Sequence, residues 1–261
     1  MKLHGKVAII VGGGSGLGKQ TAYEFVKEGC CVMIADINEE SCLNTINNIR
    51  EDFPQYDNCI SYYVCDISKQ EQVKSLISYT ESIYQKINIV FNNASIIMNK
   101  DKNVSEIDDY TFDRTYEVNV KGALYLSKNC IPILRKNNGG VIINIASFVS
   151  LLGSSISQIA YTSSQGAVLS MTRELAIAHA KENIRFIPLC PGHFKTSKMM
   201  NMINIPSEKQ KRLIHHPMGR FGNVVEIAKT IVFLASDDSS YITGNPFIID
   251  GGLTSAYITP E

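Results

Sequence analysis

Neither sign of charge is in excess in this 261-residue chain: Lys and Arg together number 25, as do Asp and Glu, and the formal net charge is zero. A nucleic-acid binder ordinarily carries a basic surplus, so that class of partner is not expected. Long apolar runs are lacking too. The run 7–11 is too short for a signal-peptide core and leads straight into glycines. No stretch approaches the roughly 18 apolar residues that span a bilayer, so no membrane partner is expected. Cysteine lacks the pattern of a disulfide scaffold or a zinc site. Cys30, Cys31, Cys42, Cys59, Cys65, Cys130 and Cys190 are odd in number and contain no Cys-x-x-Cys pair. Several lie in apolar strand-like runs, where a thiol acts as a small hydrophobe. This usage fits a reducing, cytoplasmic setting. His215-His216 has no companion at metal-ligand spacing, so no metal is assigned. Linkers, repeats and low-complexity blocks are missing as well, and residues 1–261 read as one domain.

What is present is an alternation. Nearly continuous apolar, β-branched runs occur at 7–11, 31–35, 60–65, 89–91, 141–146, 185–189 and 247–249. Runs of this kind suit strands covered on both faces. Helix-period stretches lie between them at 16–28, 39–50, 69–85, 111–135, 159–181 and 224–235. The alternation predicts right-handed βαβ crossovers. The fold class is α/β, a single Rossmann-type doubly wound parallel sheet of about seven strands with helices on both faces. Residues 192–220 are less regular and read as a substrate-side lid with short helices.

The first predicted strand runs into Gly12-Gly13-Gly14-Ser15-Gly16-Leu17-Gly18 and then helix. Glycines let the backbone turn sharply and approach a pyrophosphate. The helix N-terminus offers free N–H groups and a positive dipole end. Between strand and helix, such a run predicts a dinucleotide site. Asp36 closes the second strand, where a carboxylate accepts hydrogen bonds from the adenosine ribose. A 2′-phosphate would be repelled there, so NAD(H) is preferred over NADP(H). Asp66 closes the third strand with two readings open, a contact near the adenine or a cap on the next helix.

Taken in order, these residues resemble the short-chain dehydrogenase/reductase family. The glycine spacing Gly12…Gly16…Gly18 is that family's own. It is followed by Asn92-Asn93-Ala94-Ser95, Asn119 in Glu117-Val118-Asn119-Val120, Ser147, Tyr161, Pro191-Gly192 and Asp250-Gly251-Gly252. The resemblance covers nearly the whole chain. It implies that Tyr161 is the acid/base for the substrate oxygen, that Ser147 holds that oxygen, and that Asn119 anchors a proton relay. It also implies a cofactor site built from Gly12, Gly14, Ser15, Gly16, Leu17, Gly18, Asp36, Ile37, Asp66, Ile67, Asn93, Ala94, Tyr161, Gln165, Pro191, Gly192, Phe194 and Thr196. The cofactor carries the hydride and the protein orients and polarises.

The sequence departs from the family at one telling place. Four residues after the tyrosine the family has Lys; here the run is Tyr161-Thr162-Ser163-Ser164-Gln165. One helical turn keeps Gln165 beside Tyr161, but without charge. An ordinary phenol has a pKa near 10, so about one in a thousand is phenolate at pH 7, and no lysine lowers that value here. Alcohol oxidation needs the phenolate and should suffer; carbonyl reduction needs the phenol and should not. Val11 for Thr and Ser95 for Gly are smaller departures.

Ile96, Ile97 and Met98, residues 148–152 and residues 194–205 (with Met199, Met200, Met202, Ile203 and Ile205) form the expected substrate side. Such walls suit a largely hydrophobic alcohol or ketone, or they pack the lid or a subunit contact. His193 either touches the nicotinamide or substrate, or has no task. The resemblance implies a homotetramer or homodimer built through helices near 111–135 and 159–181. Leu253, Tyr257 and Ile258 in the tail would prefer burial. The leading reading is an NAD(H)-dependent oxidoreductase; the alternative is an NAD-binding scaffold without turnover.

Overall fold

The computed structural model describes residues 1–154, 156–196, 200 and 205–256. Met199, Met202, Ile203, Tyr257 and Ile258, named above, lie outside the described residues. The strands are β1 (Val7–Val11), β2 (Cys31–Asp36), β3 (Ile60–Val64), β4 (Ile89–Asn92), β5 (Gly140–Ile145), β6 (Ile184–Pro191), β7 (Phe194–Lys195), β8 (Gly222–Asn223) and β9 (Phe247–Ile249). Seven form one parallel sheet in the order β3-β2-β1-β4-β5-β6-β9; β7 and β8 pair separately. The order reverses between β1 and β4. In a doubly wound sheet that switch point opens a crevice beyond the carboxyl ends of the strands, and ligands bind there.

The period of two explains why the strands read as continuous apolar runs. On β1 and β2, Ala8, Ile10, Val32 and Ile34 face one layer, while Ile9, Val11, Met33 and Ala35 face the other. Against the first layer pack α1 (Gly16–Lys27), α2 (Glu39–Asp52) and the helix Val224–Ala235, through Phe25, Ile46, Ile49, Ile227 and Ile231. Against the second pack α3 (Gln70–Tyr84), α5 (Gly122–Lys136) and α6 (Ile159–His179), through Leu76, Leu126, Leu134 and Ala176. Each fully buried Ile or Leu contributes about 1.5–3 kcal/mol relative to exposure. Polar residues set the helix starts: Asn38 accepts from Ser41 N at 2.8 Å, and Asp108, ahead of α4 (Asp109–Tyr116), accepts from Thr111 N at 2.7 Å.

One expectation needs correction. The helix expected over 111–135 is divided: α4 and α5 are joined by a π-type turn, Glu117–Lys121. That turn carries Asn119, and widened turns of this kind recur at functional sites. Among the described residues of 192–220 are β7, which pairs with β8 just beyond the segment, and a short helix at Pro206–Leu213.

Candidate active site

The glycine loop lies at the head of the crevice. Gly12 has a φ of +72°, donates its N–H to Ala35 O at 2.7 Å and accepts at its carbonyl from Asn93 Nδ2 at 3.1 Å. A Cβ on Gly18 would lie 2.0 Å from Gly12 O, so only glycine lets α1 come this close under the loop. Gly12, Ser15, Gly16 and Leu17 line a cleft of about 460 Å³. Ala94 sits against Gly12, and Thr196 approaches Gly16 from the opposite wall, where Phe194 also stands. Gly14 and Gly18 lie behind this surface: Gly14 N–H donates to Asp36 Oδ2 at 3.0 Å.

Asp36 and Ile37 line the cleft at the end of β2, with Asp66 and Ile67 beyond β3. Asp36 Oδ1 also accepts from Asn38 N at 3.1 Å, so its carboxylate is held from both sides. Glu39 and Glu40 follow immediately and add negative charge. Asp66 is engaged locally but does not cap α3, whose N-cap is Lys69 with no side-chain cap hydrogen bond. Ser68 N and Oγ donate to Oδ1 at 2.9 and 2.7 Å, and Arg114 donates to Oδ2 at 3.2 Å. Burial opposes its ionisation, but the Ser68 hydrogen bonds and the Arg114 guanidinium hold the carboxyl below its ordinary range. Gly122 accommodates this wall: a Cβ there would meet Ile67 Cδ1 at 2.4 Å.

Ser147 follows β5 and Tyr161 lies in the first turn of α6, close enough for the Ser147 hydroxyl to act on the phenol. Burial pushes the Tyr161 phenol up, while hydrogen bonds from Ser147 and Ser95 pull it the other way. Ser147 also accepts from Val149 N at 3.4 Å, so it caps a short turn as well as acting on the tyrosine. Gln165, 1% exposed, donates from Nε2 to Ser95 Oγ at 3.0 Å. Its Oε1 is buried with no hydrogen-bond partner. An orphaned acceptor costs about 1–3 kcal/mol, so a ligand hydroxyl would be welcome there. Together with the close glycine turn, this buried acceptor fits the ribose and phosphates of a dinucleotide.

Asn119 is a clamp. Both its amide hydrogens are spent, on Ile96 O at 3.1 Å and Ser164 Oγ at 3.0 Å, and its Oδ1 accepts from Ile96 N at 2.8 Å. It thereby fixes the segment after β4 to α6. Pro191 ends β6, and Gly192 N–H donates to Ile249 O at 3.0 Å, placing both beside β9 rather than on the cleft wall. His193 packs on Phe148 with ring centroids 4.8 Å apart, and its Nδ1 lies 3.4 Å from His216 Nε2. His216 Nδ1 lies 2.8 Å from Arg212 O, a carbonyl that only accepts, so Nδ1 carries the hydrogen and Nε2 accepts from His193. Burial first, then the neighbouring His216 and Arg212, lower His193 to about 4.

Three contributors escaped the sequence reading. Asp101 accepts from Ala160 N at 3.0 Å and Tyr161 N at 2.8 Å, capping α6 from 59 and 60 residues away. Arg114 pairs with Asp66 across 48 residues. Ser95, read as a backbone departure, acts through its hydroxyl. No local pattern announces partners so distant.

The model of the family described as enoyl-(acyl carrier protein) reductase matches residues 12–254. The chain is 33% identical to the 3-oxoacyl-[acyl-carrier-protein] reductase FabG of Thermotoga maritima over 97% of this chain and 99% of that protein. It is 32% identical to the 7alpha-hydroxysteroid dehydrogenase of Escherichia coli K12, over 97% and 95%. The crystal structure of levodione reductase superposes with a TM-score of 0.92 at 28% identity, covering 98% of this chain and all of the other. Matches spanning this length, on a sheet of this order with this cleft, establish that the chain belongs to the short-chain dehydrogenase/reductase family of oxidoreductases.

Proposed function

We propose that the protein is an NAD(H)-dependent oxidoreductase that interconverts a secondary alcohol and a ketone, works on a largely hydrophobic substrate and favours reduction. The observation that carries this reading is the chain of contacts Gln165–Ser95–Tyr161, with Ser147 on the same phenol.

A nicotinamide held in the cleft would supply or accept the hydride. Tyr161 stays protonated at neutral pH and gives its proton to the carbonyl oxygen. The Ser147 hydroxyl donates a hydrogen bond to that oxygen and polarises the carbonyl. Gln165 occupies a lone pair of Ser95 Oγ, leaving the Ser95 hydrogen to turn toward the phenol and stabilise the phenolate as it forms. Gln165 Oε1 would accept a ribose hydroxyl of that cofactor, and Asp36 would accept from its adenosine ribose. A 2′-phosphate would meet the negative charge of Asp36, Glu39 and Glu40, hence NAD(H). Asn119 and Asp101 hold the position of α6 rather than touching the substrate.

The substrate reading rests on apolar side chains that remain exposed on the expected substrate side: Ile97, Leu151, Leu152, Met200 and Ile205. The relatives named as a hydroxysteroid dehydrogenase and an acyl-carrier reductase act, by their names, on substrates of that character. Exposed Tyr110, Leu124 and Ile177 on α4, α5 and α6 favour a homo-oligomer through those helices.

NADH consumption with a panel of hydrophobic ketones, and NAD⁺ reduction with the matching alcohols, tests the reading. Turnover by the wild type supports it, and faster reduction than oxidation at neutral pH supports its direction. Turnover by Gln165→Lys alone would instead assign the wild type to a scaffold role.

A further inference from the structure

We propose that Cys31 and Cys59 are a thiol pair that closes reversibly to a disulfide when a disulfide-class oxidant such as oxidised glutathione is supplied. The pair lies at the end of the sheet remote from the catalytic cleft. The register sets Val32 beside Ile60, so Cys31 at the start of β2 and Cys59 just before β3 stand on the next rung. Neighbouring strands run about 4.7–4.9 Å apart. That spacing falls within the roughly 4.4–6.8 Å between α-carbons that a disulfide bridges. The two sulfurs are 2.6 Å apart, well inside ordinary contact of unbonded sulfurs. Closure therefore needs a small side-chain adjustment and no backbone movement.

The neighbouring cysteine is a poor competitor. Cys30 points to the opposite face, fully buried in the layer beneath α1, with its Sγ 3.3 Å from Cys31 O. Cys42, Cys65, Cys130 and Cys190 are buried, whereas Cys31 and Cys59 are both half-buried and open to a small reagent. These two thus depart from the expectation that the cysteines serve as core hydrophobes.

The exchange balances in two steps. A thiolate of the pair attacks one sulfur of oxidised glutathione; that S–S bond breaks, and one glutathione leaves and takes up the proton. The second thiol then attacks the protein sulfur of the mixed disulfide, forming the Cys31–Cys59 bond and releasing the second glutathione. Two electrons pass from the protein sulfurs to glutathione, and two protons follow. Burial and the hydrogen bond shared with Cys59 push the Cys31 thiol up to about 12, against the pull of Lys86. Either thiol can open the exchange, and its partner, 2.6 Å away, resolves the mixed disulfide. The closed ring contains β2, α2 and the turn Pro54–Cys59. It restricts the unfolded chain and raises thermal stability.

The full chain is incubated with oxidised glutathione, denatured and titrated for thiols, and its peptides are mapped. The titratable thiols should fall by two from seven. One peptide pair should join Cys31 to Cys59, Tm should rise by several degrees, and dithiothreitol should reverse all three. Cys31→Ser should retain one glutathione at Cys59 and show no rise in Tm. Seven titratable thiols after oxidation, a bridge joining other cysteines, or a rise in Tm in the oxidised Cys31→Ser chain would overturn the proposal. Each readout is independent of turnover, so failure here leaves the catalytic reading untouched, and the reverse also holds.

Discussion

Gln165 and Ser95, 70 residues apart, are joined by a hydrogen bond of 3.0 Å from Nε2 to Oγ, and Ser95 in turn favours ionisation of the Tyr161 phenol. The telling departure at Gln165 and one of the two smaller ones, Ser95, thus form one device. If Ser95 stabilises the forming phenolate, Ser95→Gly should lower kcat for ketone reduction by about 10-fold, the loss of one charge-assisted hydrogen bond of some 1.4 kcal/mol. KM for the ketone should change little. Steady-state kinetics at saturating NADH measure both quantities.

Asp101 tests how α6 is aimed. Its carboxylate holds the N–H groups of Ala160 and Tyr161, and it sits where a helix dipole favours a negative charge. Asp101→Ala should cost about 1–2 kcal/mol of stability through the lost cap. It should also lower kcat more than it raises KM for NADH, because Tyr161 itself is displaced. Urea unfolding and kinetics check the two effects; Asp101→Asn, which keeps an acceptor, should recover most of both.

Cofactor choice follows from Asp36. Its carboxylate stands at the cleft, followed by Glu39 and Glu40. Asp36→Ala should reduce the preference in kcat/KM for NADH over NADPH by about 10-fold, the equivalent of 1.4 kcal/mol. Competition assays with the two cofactors read that ratio directly.

The His193–His216 pair predicts a pH dependence of stability. His193 has a folded pKa of about 4 against an ordinary 6.5, so between these values the unfolded chain binds the extra proton. Stability is therefore complete above about pH 6.5 and declines as pH falls toward 4, by an amount on the order of 2–3 kcal/mol. Urea midpoints across that range, for wild type and His193→Phe, should show a steeper acid loss in the wild type.

Much of the architecture was legible because both faces of the sheet are covered. The strands Val7–Val11 and Phe247–Ile249 and the helix Val224–Ala235 have the bounds that their apolar patterns predict. The glycine turn was legible because Gly12 and Gly18 answer local steric demands. The π-type turn at Asn119 was not, since the partners of that amide, Ile96 and Ser164, lie 23 and 45 residues away. Nor was the meeting of His193 and His216, 23 residues apart, or the hydroxyl role of Ser95. Single-residue departures can be seen in a sequence, but their pairing in space belongs to the fold.

The most direct test of the central claim is the pH profile of alcohol oxidation under conditions where chemistry limits the rate, for wild type and Gln165→Lys. The account predicts that wild-type oxidation climbs from about pH 7 toward 10 as the phenol ionises, with reduction nearly flat below that range. Gln165→Lys should raise oxidation at neutral pH by about 10-fold or more and shift the climb to lower pH, as a cation beside the phenol lowers its pKa. Equal wild-type oxidation rates at neutral and alkaline pH, or an unshifted profile in Gln165→Lys, would contradict it.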